Sequence, residues 1–188
     1  TRYKVMPERK DLHTDFQHPV EHAIQVAKAY DITIIPGIEI TRKEGEYCHF
    51  NALFTTDNNA VYHPDPFVAM RNARSQGALI MHNHPGWSRK SVTKTEFEIK
   101  AYSEGLVDGI EVMNGGDFYP KIIDRAKEEK FFISANTDIH GTTAEAYRLK
   151  GLMRNMTLVF AKECTLESVK EALQSRRTLA FGGNHIVG

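Results

Sequence analysis

The sequence is poor in cysteine and has no long hydrophobic run. Its 188 residues include two cysteines, Cys48 and Cys164, which lie far apart and in no spacing typical of a metal site. We predict that both are free thiols of a reducing compartment, with a single disulfide as the alternative. No apolar run approaches the roughly 20 residues of a membrane span, and no signal peptide is recognisable. We therefore expect a cytoplasmic protein that does not enter a membrane.

An excess of charge of either sign is also absent. Lysine plus arginine and aspartate plus glutamate number 24 each, so the broad basic surface of proteins that bind long nucleic acid is not expected. The chain has neither a glycine-rich phosphate loop nor a Gly-x-Ser-x-Gly nucleophile elbow, and these absences argue against nucleophilic serine chemistry. The composition, 41% hydrophobic and 26% charged, predicts one globular domain over 1–188. Residues 1–17 read as an irregular segment, and 182–188 as a truncated tail.

Predicted helices and strands alternate along most of the chain. Amphipathic stripes, prolines at helix starts and glycines at helix ends predict the helices, and short apolar runs bounded by turn residues predict the strands. A capping box is expected at Thr93 and Glu96. This order predicts an α/β fold with a mainly parallel sheet or barrel. The expected helices are 19–30, 66–76, 93–104, 120–130 and 165–175, and the expected strands are 32–41, 49–55, 78–81, 109–113, 131–133, 156–161 and 178–181.

Potential metal ligands follow or interrupt several of these strands. His82 and His84 come at the end of the strand 78–81, and Asp138 and His140 follow the strand 131–133. In an extended segment, residues two apart share a side, so each pair could hold one cation. Each pair alone is also consistent with coincidence or an Asx turn. Imidazole and carboxylate ligands suit Zn²⁺, Mn²⁺ or Fe²⁺.

A glutamate and a histidine extend this set. Glu39 lies between two isoleucines of the strand 32–41, where it faces either solvent or a ligand. His49 opens the next strand. A metal site at the strand ends would suit a hydrolase, because a bound metal lowers the pKa of water towards 7.

Taken in order, these segments resemble the polymerase and histidinol phosphatase (PHP) family, in particular its small bacterial metal-dependent phosphoesterases. The resemblance covers residues 19–181, and its closing part is the strand–helix–strand segment 156–180. The motifs that carry it are Ile35-Pro36-Gly37-Ile38-Glu39-Ile40-Thr41, His49-Phe50-Asn51-Ala52, Asn83-His84-Pro85-Gly86-Trp87, Gly109-Ile110-Glu111-Val112 and Asp138-Ile139-His140.

The resemblance implies a distorted seven-stranded (β/α) barrel with two or three divalent ions at the carboxyl ends of its strands. It implies that the metal ligands are Glu39, His49, His84, Asp138 and His140. Among them Glu39 would bridge two ions, and Glu39, His84 and His140 would take part in catalysis.

Two other residues of the motifs receive supporting roles. The family's ligand is the histidine before proline, so His82 would support His84 rather than bind metal. Glu111 is expected to be a structural carboxylate.

The chain departs from the family pattern at two places. The opening His-x-His strand and its partner ligands are not present in register, since Asp11-Leu12-His13-Thr14-Asp15 lies too close to the Glu39 strand. We therefore expect a fragment or a degenerate member, with His13, His18 and His22 at the surface. Trp87 stands where many relatives carry an arginine that could hold phosphate. Arg89, Arg154 and Arg177 are candidate substitutes, with Lys90 and Arg176 as further possibilities, and all could equally be surface charges.

The function expected from the sequence is hydrolysis of a phosphomonoester or phosphodiester by metal-activated water. The expected partner is a small phosphorylated molecule. Two alternatives remain open at this stage: a degenerate PHP-like metal-binding or regulatory module without turnover, and a nuclease that acts on short nucleic-acid ends.

Overall fold

The computed structural model describes residues 15–41, 48–87, 91–151 and 153–188, together with the backbone of residues 2–4. The helices in these residues are α1 (His18–Ala27), α2 (Asn58–Val61), α3 (Pro66–Ser75), α4 (Glu96–Ser103), α5 (Pro120–Glu129), α6 (Thr143–Ala146) and α7 (Leu166–Gln174), with a 3₁₀ helix at Arg148–Lys150. The strands are β1 (Arg2–Lys4), β2 (Gly37–Thr41), β3 (Phe50–Leu53), β4 (Leu79–His82), β5 (Gly109–Asn114), β6 (Asp117–Phe118), β7 (Phe132–Asn136), β8 (Met156–Val159), β9 (Thr178–Gly182) and β10 (His185–Val187).

The main sheet mixes parallel and antiparallel pairs. Its order runs from β1 to β5, and β5 also pairs with β6 and β7. β1 pairs with β2, β4 with β5 and β5 with β7 in parallel, whereas β2–β3 and β3–β4 are antiparallel. The predicted α/β class is confirmed, but the prediction of a mainly parallel sheet is wrong for β2–β4. Both α2 and α3 lie in the connection between β3 and β4, across which the strand direction reverses once.

The second sheet is antiparallel, in the order β10–β9–β8. Hydrogen bonds of side-chain hydroxyls, rather than a ladder of backbone hydrogen bonds, connect this second sheet to β7. The Thr157 hydroxyl accepts from the Ala135 N–H at 3.0 Å and donates to the Ala135 carbonyl at 3.1 Å, and the Thr178 hydroxyl donates to the Ile133 carbonyl at 2.8 Å. Among the described residues, backbone pairing therefore does not close the two sheets into a barrel.

Each face of the main sheet covers a different apolar cluster. Ile38, Ile40 and Phe50 point to the face where α3, α4 and α5 pack, and this is the larger core. Because side chains alternate along a strand, Leu53 points to the opposite face. There it meets a smaller cluster of Leu79, Met81, Phe132 and Leu173. Glu39 pairs in register with Asn51, two residues before Leu53, so Glu39 belongs to this second face.

The start of α4 differs from the sequence prediction. The capping box joins Thr95 and Glu98, not Thr93 and Glu96: Glu98 N–H donates to the Thr95 hydroxyl, and Thr95 N–H donates to Glu98 Oε2. Thr93 instead contacts the Ser91 hydroxyl. Both Thr93 and Thr95 have a glutamate three residues later, so the sequence allows either capping box. The box that forms, Thr95 with Glu98, leaves Glu98 completely buried.

Both ends of the chain contain strands that the sequence reading missed. Residues 2–4 pair with β2, so the segment 1–17 is not irregular throughout. Residues 185–187 pair with β9, so the predicted tail 182–188 is also partly strand.

Cys48 and Cys164 are free thiols, as predicted. Every helix in the described residues falls short of the length and hydrophobicity that crossing a bilayer would require.

Candidate metal centre

Three side chains from neighbouring strands converge at one end of the main sheet. β2 carries Glu39, His49 directly precedes β3, and His84 follows β4. The antiparallel pairing continues past the strands, since Asn83 N–H donates to the His49 carbonyl at 2.9 Å. One donor atom of each of the three side chains lies within 4.8 Å of the others. The structure thus brings together three of the five predicted ligands.

The contacts inside this group are close. Nδ1 of His49 lies 3.2 Å from Oε1 of Glu39, and the Thr41 hydroxyl donates to the same oxygen at 2.8 Å. The rings of His49 and His84 meet edge to face with centroids 4.9 Å apart. The indole of Trp87, 45% exposed, flanks both rings at 5.9 and 5.4 Å. The site therefore has a buried floor and an aromatic wall that reaches solvent.

The protonation states of the group suit a divalent cation. Burial alone would raise the pKa of Glu39, but the His49 imidazole and the Thr41 hydroxyl outweigh it, so the pKa of Glu39 is lowered and the group is an anion. Burial and the positive charge that His49 can carry lower the pKa of His84, which leaves its imidazole neutral. A neutral imidazole and a carboxylate are the forms that bind zinc-like ions.

The geometry of His49 gives a further test of fit. Its Nδ1 is buried and makes no well-directed hydrogen bond among the described residues, although it faces Glu39. Buried ring nitrogens are normally satisfied. Two ligand atoms of one tetrahedral ion, each about 2.1 Å from it, are roughly 3.4 Å apart, close to the observed 3.2 Å. The residues present therefore fit a metal ion.

Asp138 approaches from β7. Its Oδ2 lies 3.8 Å from Nε2 of His84. Both residues have positive backbone φ, +47° for Asp138 and +24° for His84. Non-glycine residues rarely adopt such angles, and strained backbones of this kind cluster at functional sites.

His140 lies beside Asp138 but outside the group of three. Its side chain is 51% exposed, and its Nδ1 donates to the Asp138 carbonyl at 2.7 Å. That hydrogen bond leaves Nε2 as the nitrogen with a free lone pair, which is the usual arrangement of a metal-binding histidine. The structure thus orients His140 without bringing it into the group of Glu39, His49 and His84.

Glu111 holds the turn that carries His84. It is 2% exposed, and its Oε2 accepts the backbone N–H of His84 and the side-chain amide of Asn114. A β-bulge between Glu111 and Met113 shifts the register against β7. Burial raises the pKa of Glu111 to about 7, and the hydrogen bonds that it accepts oppose the rise. The structural role predicted for Glu111 is consistent with these contacts.

His82 lies on the other face from His84 and belongs to a second polar group. It is fully buried, stacks on Phe50 with centroids 4.8 Å apart, and its Nδ1 lies 2.6 Å from the Tyr102 hydroxyl. Its Nε2 lies 3.5 Å from Oε1 of Glu98, to which the Cys48 thiol also donates at 2.9 Å. His82 and His84 could bind one cation together only if both side chains pointed to the same face. The chain turns after His82, so they point to opposite faces and this expectation is not met.

This second group, Cys48, His82 and Glu98, has metal-type donor atoms within 4.8 Å of one another, yet it fits a metal poorly. The separation of 2.9 Å between Sγ and Oε1 is well below the roughly 3.6 Å expected for two ligands of one zinc ion. Nη1 of Arg125 lies 3.5 Å from Oε2 of Glu98 and already supplies a positive charge. The group is better described as a buried hydrogen-bonded network.

The candidate phosphate-binding arginines have different outcomes. Arg89 lies outside the described residues, as do Lys90 and His13. Arg177 forms an ion pair with Glu171 of α7 and donates to the Phe160 carbonyl at 3.0 Å, so its groups are engaged in the fold. Arg154 is exposed and lines a groove next to the Asp138 turn. His18 and His22 are exposed on α1, as expected.

Several residues around the site were not singled out from the sequence. The side-chain amides of Asn114 and Asn136 interact with Glu111 and oppose the rise of its pKa that burial causes. Tyr147 is a buried tyrosine in a polar connection. The signal that could have found the two asparagines is their position: Asn114 ends β5, which pairs with β4 and β7, and Asn136 ends β7, two residues before Asp138.

Comparison with known proteins finds a similar solved structure. No protein-family model matches the chain, and none of the curated proteins matches it either. Among solved structures, the chain is similar to a two-domain protein from Bacteroides vulgatus that contains a predicted PHP-like metal-dependent phosphoesterase. The TM-score is 0.90 and the sequence identity 34%. The match covers 100% of this chain and 55% of that protein, so the chain spans about half the length of its structural neighbour.

Proposed function

We propose that this chain is a PHP-like domain that hydrolyses a phosphate ester with the help of divalent metal ions. The observation that carries the proposal is the convergence of Glu39, His49 and His84, with Asp138 beside them. The similarity to a protein that contains a predicted PHP-like metal-dependent phosphoesterase supports it. From the resemblance of the motifs we also infer a distorted (β/α) barrel as the architecture, in which the hydroxyls of Thr157 and Thr178, rather than backbone pairing, join the second sheet to β7.

The ions would be held by the five ligands that the motifs suggested. Glu39, His49 and His84 offer a carboxylate and two imidazoles at the floor of the site, and Asp138 and His140 stand at its rim. Nitrogen and oxygen donors without a thiolate suit Zn²⁺, Mn²⁺ or Fe²⁺. Glu39 is the candidate for a bridge between two ions, because its second oxygen is not used by Thr41 or His49.

A bound divalent ion supplies a lowered pKa for water and neutralises charge on the phosphoryl group. The residues of the chain then have defined tasks. Glu111 keeps the His84 turn in its strained conformation by accepting the His84 N–H. Trp87 excludes water from one side of the two histidine rings. His140 is exposed at the rim; where it does not serve as a metal ligand, a proton carried on its Nε2 could pass to the leaving oxygen of a small phosphorylated substrate.

The test combines metal content with phosphate release. The chain is purified, stripped with chelator and titrated calorimetrically with Zn²⁺ and Mn²⁺, and hydrolysis of p-nitrophenyl phosphate and bis-p-nitrophenyl phosphate is then measured. The variant Glu39→Gln should weaken metal binding by at least about tenfold and lose activity, because it removes the charged ligand. The matched control is Glu163→Gln, which changes an exposed glutamate in the turn before α7.

Three results separate the possibilities. Metal binding with phosphate release, both lost in Glu39→Gln, supports the proposal. Metal binding without release from either ester favours the metal-binding module without turnover. Activity that survives both chelation and Glu39→Gln would refute the proposed site.

A further inference from the structure

A large aromatic surface lies exposed at the rim of the candidate metal centre. Trp87 is the only tryptophan in the sequence, and 45% of its side chain is exposed. Its indole lies against the rings of His49 and His84, with centroids 5.9 and 5.4 Å away. Both histidines are buried. Of these three rings, the indole is therefore the one that offers apolar surface to solvent.

The backbone that carries Trp87 is held from several sides. The Trp87 N–H donates to the His84 carbonyl at 3.0 Å, which closes a turn. Gly86 lies so close to the ring of Tyr119 that a Cβ on it would be 2.7 Å from a ring carbon. Glu111 accepts the N–H of His84. The indole is thus placed by the contacts that place His84, and it is not a loosely attached surface side chain.

Val92, a few residues later, is anchored as well. It packs against the larger core, and its side chain would lie 3.4 Å from a Cβ on Gly86. Nη2 of Arg125 donates to the Val92 carbonyl, and Nη1 lies 3.5 Å from Oε2 of Glu98. A surface that is already fixed before a ligand binds costs little conformational entropy on binding. The segment around Trp87 has this property.

The indole suits a flat, uncharged group. Neither histidine ring stacks on it in parallel, since the interplanar angles are 41° for His49 and 60° for His84. Aromatic rings gain most from a second flat ring in an offset stack or edge to face. An indole carries no charge, so it attracts the organic group of a phosphate ester rather than the phosphoryl group.

We propose that Trp87 is a stacking platform that selects phosphate esters whose organic group carries a flat aromatic or heteroaromatic ring. The metal centre takes the phosphoryl group, and the exposed part of the indole takes the ring. The inference rests on the proposed function for the phosphate ester and adds the class of organic group. Trp87 determines specificity and takes no part in the chemical step.

The experiment compares two phosphonates that differ in the shape of one ring, benzylphosphonate and cyclohexylmethylphosphonate. Neither can be hydrolysed as an ester, so binding to the full chain loaded with Mn²⁺ is titrated by calorimetry without turnover. The saturated ring has the larger apolar surface, so burial alone favours it, whereas stacking favours the flat ring. The wild type should bind benzylphosphonate about fivefold more tightly.

Three variants test whether Trp87 is the source of this preference. Trp87→Leu keeps an apolar side chain without a ring, and the ratio of the two affinities should fall to about one or below. Trp87→Phe keeps a ring and should retain most of the preference. The matched control Phe160→Leu removes a 55% exposed ring outside the candidate site and should leave the ratio unchanged. A merely structural role of Trp87 would weaken both phosphonates alike and would not move the ratio.

Several results would overturn the platform. The wild type could bind the two phosphonates equally, or bind neither in the presence of Mn²⁺. The preference for the flat ring could survive in Trp87→Leu. If Trp87→Leu separated copies of the chain that associate in the wild type and left the ratio unchanged, the indole would serve an interface and the proposal would fail.

This proposal and the proposed function fail independently. If p-nitrophenyl phosphate is hydrolysed and the ratio does not depend on Trp87, the metal-dependent activity stands and the platform does not. If the ratio depends on Trp87 and no ester is hydrolysed, the platform stands and turnover does not.

Discussion

Glu111 gives the clearest prediction of how pH acts on this fold. Its carboxyl group is 2% exposed and accepts the backbone N–H of His84 and the amide of Asn114. The variant Glu111→Gln keeps an oxygen that can accept these hydrogen bonds, and its amide cannot ionise. The comparison of wild type and variant in metal-free protein therefore isolates the free energy of ionising one buried carboxyl group.

The magnitude follows from the pKa of Glu111, which burial raises from 4.5 to about 7. A folded state with the higher pKa binds the proton more tightly than the unfolded chain, so this group stabilises the fold most below pH 4.5. That contribution is lost as the pH rises towards 7 and is constant above it. At about 1.4 kcal/mol for each pH unit, the loss is about 3 kcal/mol.

The assay is urea unfolding with a chelator present at several pH values between 4.5 and 8. We expect the free energy of unfolding of the wild type, relative to Glu111→Gln, to fall by about 3 kcal/mol across this range. Taking the difference removes the contribution of every other titrating group that the two proteins share. A difference that does not change with pH would refute the reasoning, and a rising difference would show that hydrogen bonds to the carboxylate outweigh its burial.

Three further predictions address the metal centre and the packing. The chain has one tryptophan, Trp87, within 6 Å of two candidate ligand rings, so Mn²⁺ should quench its fluorescence saturably; quenching no stronger than that of tryptophan amide would contradict this. Gly109→Ala should lower the melting temperature by several degrees, because the added methyl group would overlap a buried aromatic ring of β7. Gly116→Ala, with open space around it, is the control, and equal effects of both variants would count against the packing argument. Arg125→Met should reduce the free energy of unfolding by about 3–5 kcal/mol in urea, since it leaves buried Glu98 without its cation. A loss below about 1 kcal/mol would show that the ion pair is dispensable.

Local sequence patterns were sufficient to find the ligand-bearing strand ends. Glu39 between isoleucines, His49 at the start of a strand and His84 before Pro85 are each defined by a few neighbouring residues. Their convergence follows once the strands lie side by side. The structure pairs β2 with β3 and β3 with β4, which sets His49 between the other two. The antiparallel direction of these pairs was not predictable, since alternation of helices and strands does not determine it.

The features that escaped prediction depend on contacts between distant segments. His82 and His84 share a face in an ideal strand, but the positive φ of His84 and its hydrogen bond to Glu111, 27 residues later, redirect the chain. The choice of Thr95 over Thr93 as helix cap depends on Glu98, whose partners Cys48 and Arg125 come from other elements. No local pattern contains these pairings.

The sheet carries one polar group on each face: the candidate metal centre around Glu39, and the buried hydrogen-bonded network around Glu98. We expect the first group to bind the ion and the second to position the backbone of the first. Cys48 and His49 are consecutive, so alternation directs one side chain to the Glu98 network and the other to the metal centre. Each network contact made by Cys48 therefore also fixes the backbone from which His49 projects. The guanidinium of Arg125 neutralises Glu98, whereas among the described residues no lysine or arginine forms an ion pair with Glu39, whose neighbours are the imidazoles of His49 and His84. A half-buried carboxylate without a lysine or arginine partner attracts a mobile cation, so the electrostatics favour the Glu39 side over the Glu98 side as the place for the proposed metal ion.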